Sequence, residues 1–240
     1  MAVVNFELLR VLATLCRTRD HASVSVDNGR VRRTLHVAGG ELIGADSTVA
    51  TERLGVQLAA DGKLDVELVV PLVKAARAAN RFFGDELVAQ GLLTVADVVR
   101  AVEHQTHSRF DRALQMAGTI AATRPLRVRA TYRAPLGAVV VAAFRSRLPV
   151  GTASALVAGI SPEHSRLRPE HVVVNDLRLT SPELRCWRRL ASGQDTAGVL
   201  DRASDGEVPL RLIAALIALG AIGDPADPVP EPLRKIAASA

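Results

Sequence analysis

The feature that most constrains this chain is an internal repeat. Residues 53–76 can be laid over residues 82–105 at a constant offset of 29. The first unit reads Arg53-Leu54-Gly55-x-x-Leu58, then Leu64, Val69 and Val73; the second reads Phe82-Phe83-Gly84-x-x-Leu87, then Leu93, Val98 and Val102. Self-similarity at a fixed period marks a supersecondary unit that cannot bury its apolar face alone and must pack on its neighbour. Each unit should be a short helix, a Gly-containing turn (Asp61-Gly62; Gln90-Gly91) and a longer helix. Asp65 and Thr94 are the expected N-caps, each worth roughly 1 kcal/mol against Ala. The Gly after the bulky residue at 54 or 83 lets a neighbouring backbone or a ligand approach closely. Pro71 sits inside the longer helix of unit one, where it costs on the order of 3 kcal/mol, so a kink or a later helix start is expected.

Around the repeat the hydrophobic period changes. Phe6, Leu8, Leu9, Val11, Leu12 and Leu15 recur at helical spacing over 5–16. Residues 22–27 alternate, Asn28-Gly29 supplies a hairpin turn, and 31–37, a Gly39-Gly40 turn and 41–45 complete a small antiparallel meander. From Thr51 to about Met116 the period is helical; 119–132 read as one or two strands, and Pro135 opens a helix running to about Arg147. The segment 148–170, with Pro149, Gly151, Gly159, Pro162 and Pro169, reads as a linker. A strand over 171–174 and three short helices near 181–191, 196–203 and 208–219 follow, with Ser181 as cap and Pro182 in the first turn. From Asp224 onward the Pro, Asp and Ala content predicts a disordered tail. The expected fold class is α+β: a meander with a duplicated αα-hairpin unit over 1–147, then a small helical unit over 171–223.

Two resemblances bear on function. The repeat, with its spacer 77–81, resembles the tandem motif of the cyclic-di-GMP-binding amino-terminal domain of type II secretion and pilus ATPases, the MshE-like domain. That family opens each unit with Arg-Leu-Gly and closes it with Gln, the Arg contacting guanine or phosphate. The resemblance therefore implies a ligand-binding set of Arg53, Leu54, Gly55, Leu58, Phe82, Phe83, Gly84, Leu87 and Gln105. Here unit one ends in Ala76 and unit two begins with Phe82, so each half lacks one polar position. At about 1.5–3 kcal/mol per charge-assisted hydrogen bond, two losses weaken binding by roughly a hundredfold or more. More widely, the amino-terminal helix, the hairpin running Leu35 to Ser47 and both units are similar to the PATAN family of bacterial signalling proteins, over about residues 3–147. This second resemblance implies protein–protein interaction without chemistry, with a response regulator or a motility or polarity component as partner. Residues 179–222 resemble the winged-helix-like unit that often follows such domains.

Composition narrows the alternatives. Of 240 residues 48% are hydrophobic, but only five Phe, one Trp and one Tyr occur, so the core must be built from small aliphatic side chains. The Ala-, Val- and Arg-rich, Lys-poor chain suggests a GC-rich bacterial genome. Between Asp111 and Glu163 there is no acidic residue, while Arg124, Arg127, Arg129 and Arg133 form a candidate basic interaction patch. DNA binding through the last helices is a weaker alternative, because residues 209–219 carry only Arg211. Cys16 and Cys186 lie far apart in apolar runs, as expected of reduced, packed thiols. No apolar run is long enough for a membrane span, and the expected compartment is cytoplasmic. His104 and His107 are a helical pair without a convincingly spaced third ligand, and no catalytic or phosphate-binding signature occurs. A non-enzymatic adaptor without cofactor or metal is the expectation.

Overall fold

A computed structural model describes residues 5–124, 130–147, 149–160, 166–202 and 206–223. Helix α1 (Phe6–Thr18) starts where the Asn5 side chain accepts the Leu8 amide at 3.0 Å. It precedes the meander β1 (Ala22–Asp27), β2 (Arg32–Ala38) and β3 (Glu41–Ser47). The turn glycines Gly29, Gly39 and Gly40 all take positive φ, as the two tight turns require. A 3-10 turn at Ala50–Glu52 leads into the repeat: α2 (Leu54–Ala60), α3 (Val66–Ala78), α4 (Phe83–Ala89) and α5 (Val95–Leu114). Asp65 and Thr94 are the caps, the latter in a full capping box with Asp97.

The chain then returns to the sheet as β4 (Thr119–Thr123) and, through β5 (Ala134–Pro135), enters α6 (Leu136–Arg147). The sheet order is β4-β1-β2-β3-β5, antiparallel throughout, so the α+β class with a β-meander holds and the meander is widened by a strand on each edge. Ala22, Val24, Val26, Leu35 and Val37 point to the buried face, beneath α1, α5 and α6. Ser23, Ser25, Thr34 and His36 alternate with them on the other face.

Several expectations differ from what forms. The α3 helix runs through Pro71, which is exposed, as is Glu67, the residue whose carbonyl loses its amide partner there. The segment expected as a linker holds α7 (Val150–Ala158), whose Ala153 is fully buried. Its small residues let it lie against α10, so tertiary packing overrode its Gly- and Pro-rich look. Residues 171–174 form no strand: 3-10 turns at Pro169–His171 and Val174–Leu177 occupy this stretch, the first opened by Pro169. Helices α8 (Ser181–Ala191), α9 (Thr196–Asp201) and α10 (Glu207–Ala218) form as expected, but the cap of α8 is Thr180, in a capping box with Glu183, and not Ser181. Among the described residues the one strand-like pairing of this part is the Leu167–Ile222 bridge. The larger apolar core is continuous from Leu8 of α1 through the sheet to Trp187, Leu216 and Ile222. The expected tail, 224–240, lies outside the described residues.

Candidate functional site

The two units repeat in structure what they repeat in sequence. An added Cβ on Gly55 would meet Val69 Cγ1 of α3 at 2.9 Å, and one on Gly84 would meet Val98 Cγ1 of α5 at 2.6 Å. These are the same contact at an offset of 29, and they give both glycines a packing role. Phe83 lies over Gly55, joining the units, and a small separate core forms from Leu58, Leu64, Leu72 and Leu87, with Leu54, Val69, Phe83 and Val98 at its edge. Of the nine residues expected to hold a ligand, Leu54, Gly55, Leu58, Phe83, Gly84 and Leu87 are thus drawn together as helix packing. Gln105 is buried and its Nε2 donates to the Glu52 carbonyl at 2.7 Å. Ala76 is buried as well, while Arg53 and Phe82 are exposed at the N-caps of α2 and α4.

This unit carries most of the misplaced apolar surface. Eight of the ten exposed large hydrophobic residues among those described fall between Val56 and Val99. Four of them match in pairs across the repeat: Val66 (70% exposed) with Val95 (63%), and Val70 (61%) with Val99 (56%). Each pair partner lies one turn from the next on one flank of α3 or of α5, beside the flank that faces the small core. Scattered exposed valines need no explanation, but such concentration in one small unit does.

A buried charge cluster fastens the unit to the sheet. Glu52 is 1% exposed and accepts from Arg33 of β2 (2.5 and 3.2 Å) and from Arg112 of α5 (2.8 Å). Its backbone carbonyl also receives Gln105 and, at 2.5 Å, Arg109, whose other amino group donates to the Ala45 carbonyl. Burial pushes the Glu52 carboxyl up, but hydrogen bonds from Arg33, Ser47 and Arg112 outweigh it and hold the group at about 2. The sequence marks none of this as a cluster, because Arg33, Glu52 and Arg112 come from three separate elements.

A second polar feature also escaped the sequence. Ser23 Oγ lies 2.9 Å from His36 Nδ1, and His36 Nε2 lies 2.9 Å from Asp46 Oδ2, a relay across β1, β2 and β3. The carboxylate accepts, so Nε2 donates to Asp46, and the Ser23 hydroxyl, able to donate or accept, completes the contact at Nδ1. The His36 hydrogen bond holds the Asp46 carboxyl below its ordinary range. The strand register pairs Ser23 directly with His36. Ser23 also pairs with Thr123 on the other side, so its backbone groups are spent in the ladder and offer no oxyanion donors. The relay ties three strands together.

The basic patch changes in three dimensions. Arg124 pairs with Asp20 and Arg133 with Glu41, each at 2.8 Å, while Arg127 and Arg129 lie outside the described residues. Arg145 is held by Glu183, and Arg211 turns back onto Glu207 and the carbonyls of Phe144 and Arg145. The run that is acid-free in sequence is therefore supplied with carboxylates from elsewhere, which removes the expected local field at these positions. His107 Nε2 is hydrogen-bonded to the Tyr132 hydroxyl at 2.7 Å. Among the described residues no helix is long and apolar enough to cross a membrane. No family model, curated protein or solved structure matches the chain.

Proposed function

We propose that this chain is a non-enzymatic adaptor that docks a protein partner on the duplicated helical unit. The observation that carries the reading is the exposed, repeat-matched set Val66, Val70, Val95 and Val99 on a unit whose own core is four leucines deep. Covering such side chains is worth roughly 1.5–3 kcal/mol each when burial is complete, enough for two or three of them to decide an affinity. The PATAN-like order of elements supports a signalling partner, either a response regulator or a motility or polarity component. Cyclic-di-GMP binding is disfavoured: Gln105 is spent on the Glu52 carbonyl, and Ala76 and Phe82 stand where polar groups are needed. Nucleic-acid binding is disfavoured because Arg211, Arg124 and Arg133 are engaged by carboxylates.

Site-specific photo-crosslinking in the native host tests the docking. A crosslinker at position 70 or 99 should capture the same receiver-domain or motility protein, and one at exposed Thr119 should not. Equal capture from all three positions, or capture of nothing from signalling pathways, defeats the reading. Calorimetric titration with cyclic-di-GMP separates the receptor alternative, which heat at micromolar ligand would restore.

A further inference from the structure

The two edges of the sheet are finished differently. At one, β5 is only two residues long, contains Pro135 and follows the Arg133–Glu41 ion pair. Shortness, proline and charge are the devices that keep an edge from pairing further. At the other edge β4 carries none of them. Thr119 to Thr123 include no charged residue and no proline, and the strand follows β1 through five pairs without a register shift. The sheet ends there, and among the described residues β4 makes no backbone hydrogen bond beyond those to β1. Alternate amides and carbonyls of β4 therefore point outward, free to take another strand. The helices above the sheet sit mainly over β1, β2 and β3. Ile120 and Ala122, opposite Val26 and Val24 on the apolar face, stay half-buried at the rim of the larger core. Thr119, Ala121 and Thr123 are exposed on the polar face.

We propose that this edge pairs antiparallel with the same strand of a second copy of the chain, about a twofold axis at Ala121. In that register Thr119 lies opposite Thr123 of the second copy, Ile120 opposite its Ala122, and Ala121 opposite Ala121. Threonine meets threonine, a favourable cross-strand pair, and the half-buried Ile120 and Ala122 cover each other. Opposite residues share a face, so the apolar and polar faces both continue into the second copy. Charge is no obstacle. Of the two flanking residues only Arg124 is charged; it is already paired with Asp20 and comes opposite Gly118. The two Arg124 side chains then start roughly 20 Å apart, beyond a screening length of about 8–10 Å. A foreign strand would have to match this pattern from an unrelated sequence, whereas a second copy does so by symmetry. Five residues make a small seam beside the roughly 1,200–2,000 Å² of a stable interface, so the dissociation constant should be on the order of 100 µM. The seam is independent of the docking proposed for Val70 and Val99, which lie on α3 and α5.

Sedimentation velocity of the full chain from about 10 µM to about 1 mM should show a monomer passing into a dimer. Ala121→Glu and Ala121→Lys each set like charges directly opposite at the axis and should weaken self-association at least about tenfold. An equimolar mixture of the two should recover it to within about threefold of the unsubstituted chain. Hydrogen exchange on the unsubstituted chain reads the seam without any variant: β4 amides should gain protection as concentration rises, and those of α3 and α5 should not. A monomer at about 1 mM, the result expected if β4 instead receives a strand from another protein, overturns the proposal. So does a dimer that both variants leave intact, a mixture no stronger than its components, or protection that rises in α3 and α5 instead of β4.

Discussion

The duplicated unit and the body of the molecule are built on opposite principles. In the body, α1, the sheet, α6, α7, α8 and α10 share one core in which Phe110, Phe144, Leu8, Leu12 and Leu216 are wholly enclosed. In the unit, the helices close over four leucines, and valines of equal hydrophobicity are left in solvent on α3 and α5. The body uses its apolar residues for its own stability. The unit keeps some of its own in reserve, which costs local stability and leaves a surface that a partner can cover. What joins the two is partly apolar, through Phe110, Ala113 and Leu114 at the end of α5, and partly polar: the Glu52 cluster, with the Arg33 and Arg112 side chains on its carboxylate and Arg109 and Gln105 on its backbone carbonyl.

That contrast can be broken at several points. The largest effect is expected at the join. Glu52→Ala leaves the largely buried Arg33 charge without its carboxylate, with half-exposed Arg112 losing its partner as well, and should cost about 3–5 kcal/mol in urea denaturation. A loss under about 1 kcal/mol would mean that the cluster fastens nothing. The same group sets an acid limit. Its pKa falls from 4.5 to about 2 on folding, so its contribution is complete above about 4.5 and is lost as pH falls toward 2. Stability should drop by on the order of 3 kcal/mol across that window, and Glu52→Gln should flatten the slope.

Next in size are the glycine contacts within the unit. Gly84→Ala forces Val98 aside at 2.6 Å and should cost about 1–3 kcal/mol, and Gly55→Ala should cost a similar amount, because both Val69 at 2.9 Å and Phe83 at 3.0 Å must move. Hydrogen exchange should show the loss in α4 and α5 and spare β1 and β2; a uniform loss would merge the two regions into one cooperative block. The smallest effect is on the exposed valines. Val70→Asp and Val99→Asp should shift stability by no more than about 0.5 kcal/mol while weakening partner capture at least about tenfold. A large loss of stability in either would show that these residues are core after all.

Much of the architecture was legible without coordinates. The two Gly turns with alternating residues on either side specified the meander, and the 29-residue offset specified two equivalent helical hairpins, whose matching Gly–Val contacts the structure then added. Legibility failed where local and tertiary demands differ. The stretch around Val150–Ala158 is rich in breakers at its ends, yet its small residues are what α10 needs against it, so it is helix. The site was less legible than the fold. Nothing local in Ser23, His36 and Asp46 marks a relay, which exists because strand register sets them side by side. Nor does an acid-free run of arginines disclose that Asp20, Glu41, Glu52 and Glu183 will be brought to it.

The amino-acid sequence by itself therefore determined the elements, their caps and the duplication, because helix period, strand alternation and turn chemistry are properties of neighbours along the chain. Only the tertiary structure decided which polar groups meet and which apolar ones stay outside. Gln105 became a strut on the Glu52 carbonyl, Arg211 turned inward, and Val70 and Val99 were left facing water. Those outcomes depend on distances between residues far apart in the chain, which no local pattern encodes.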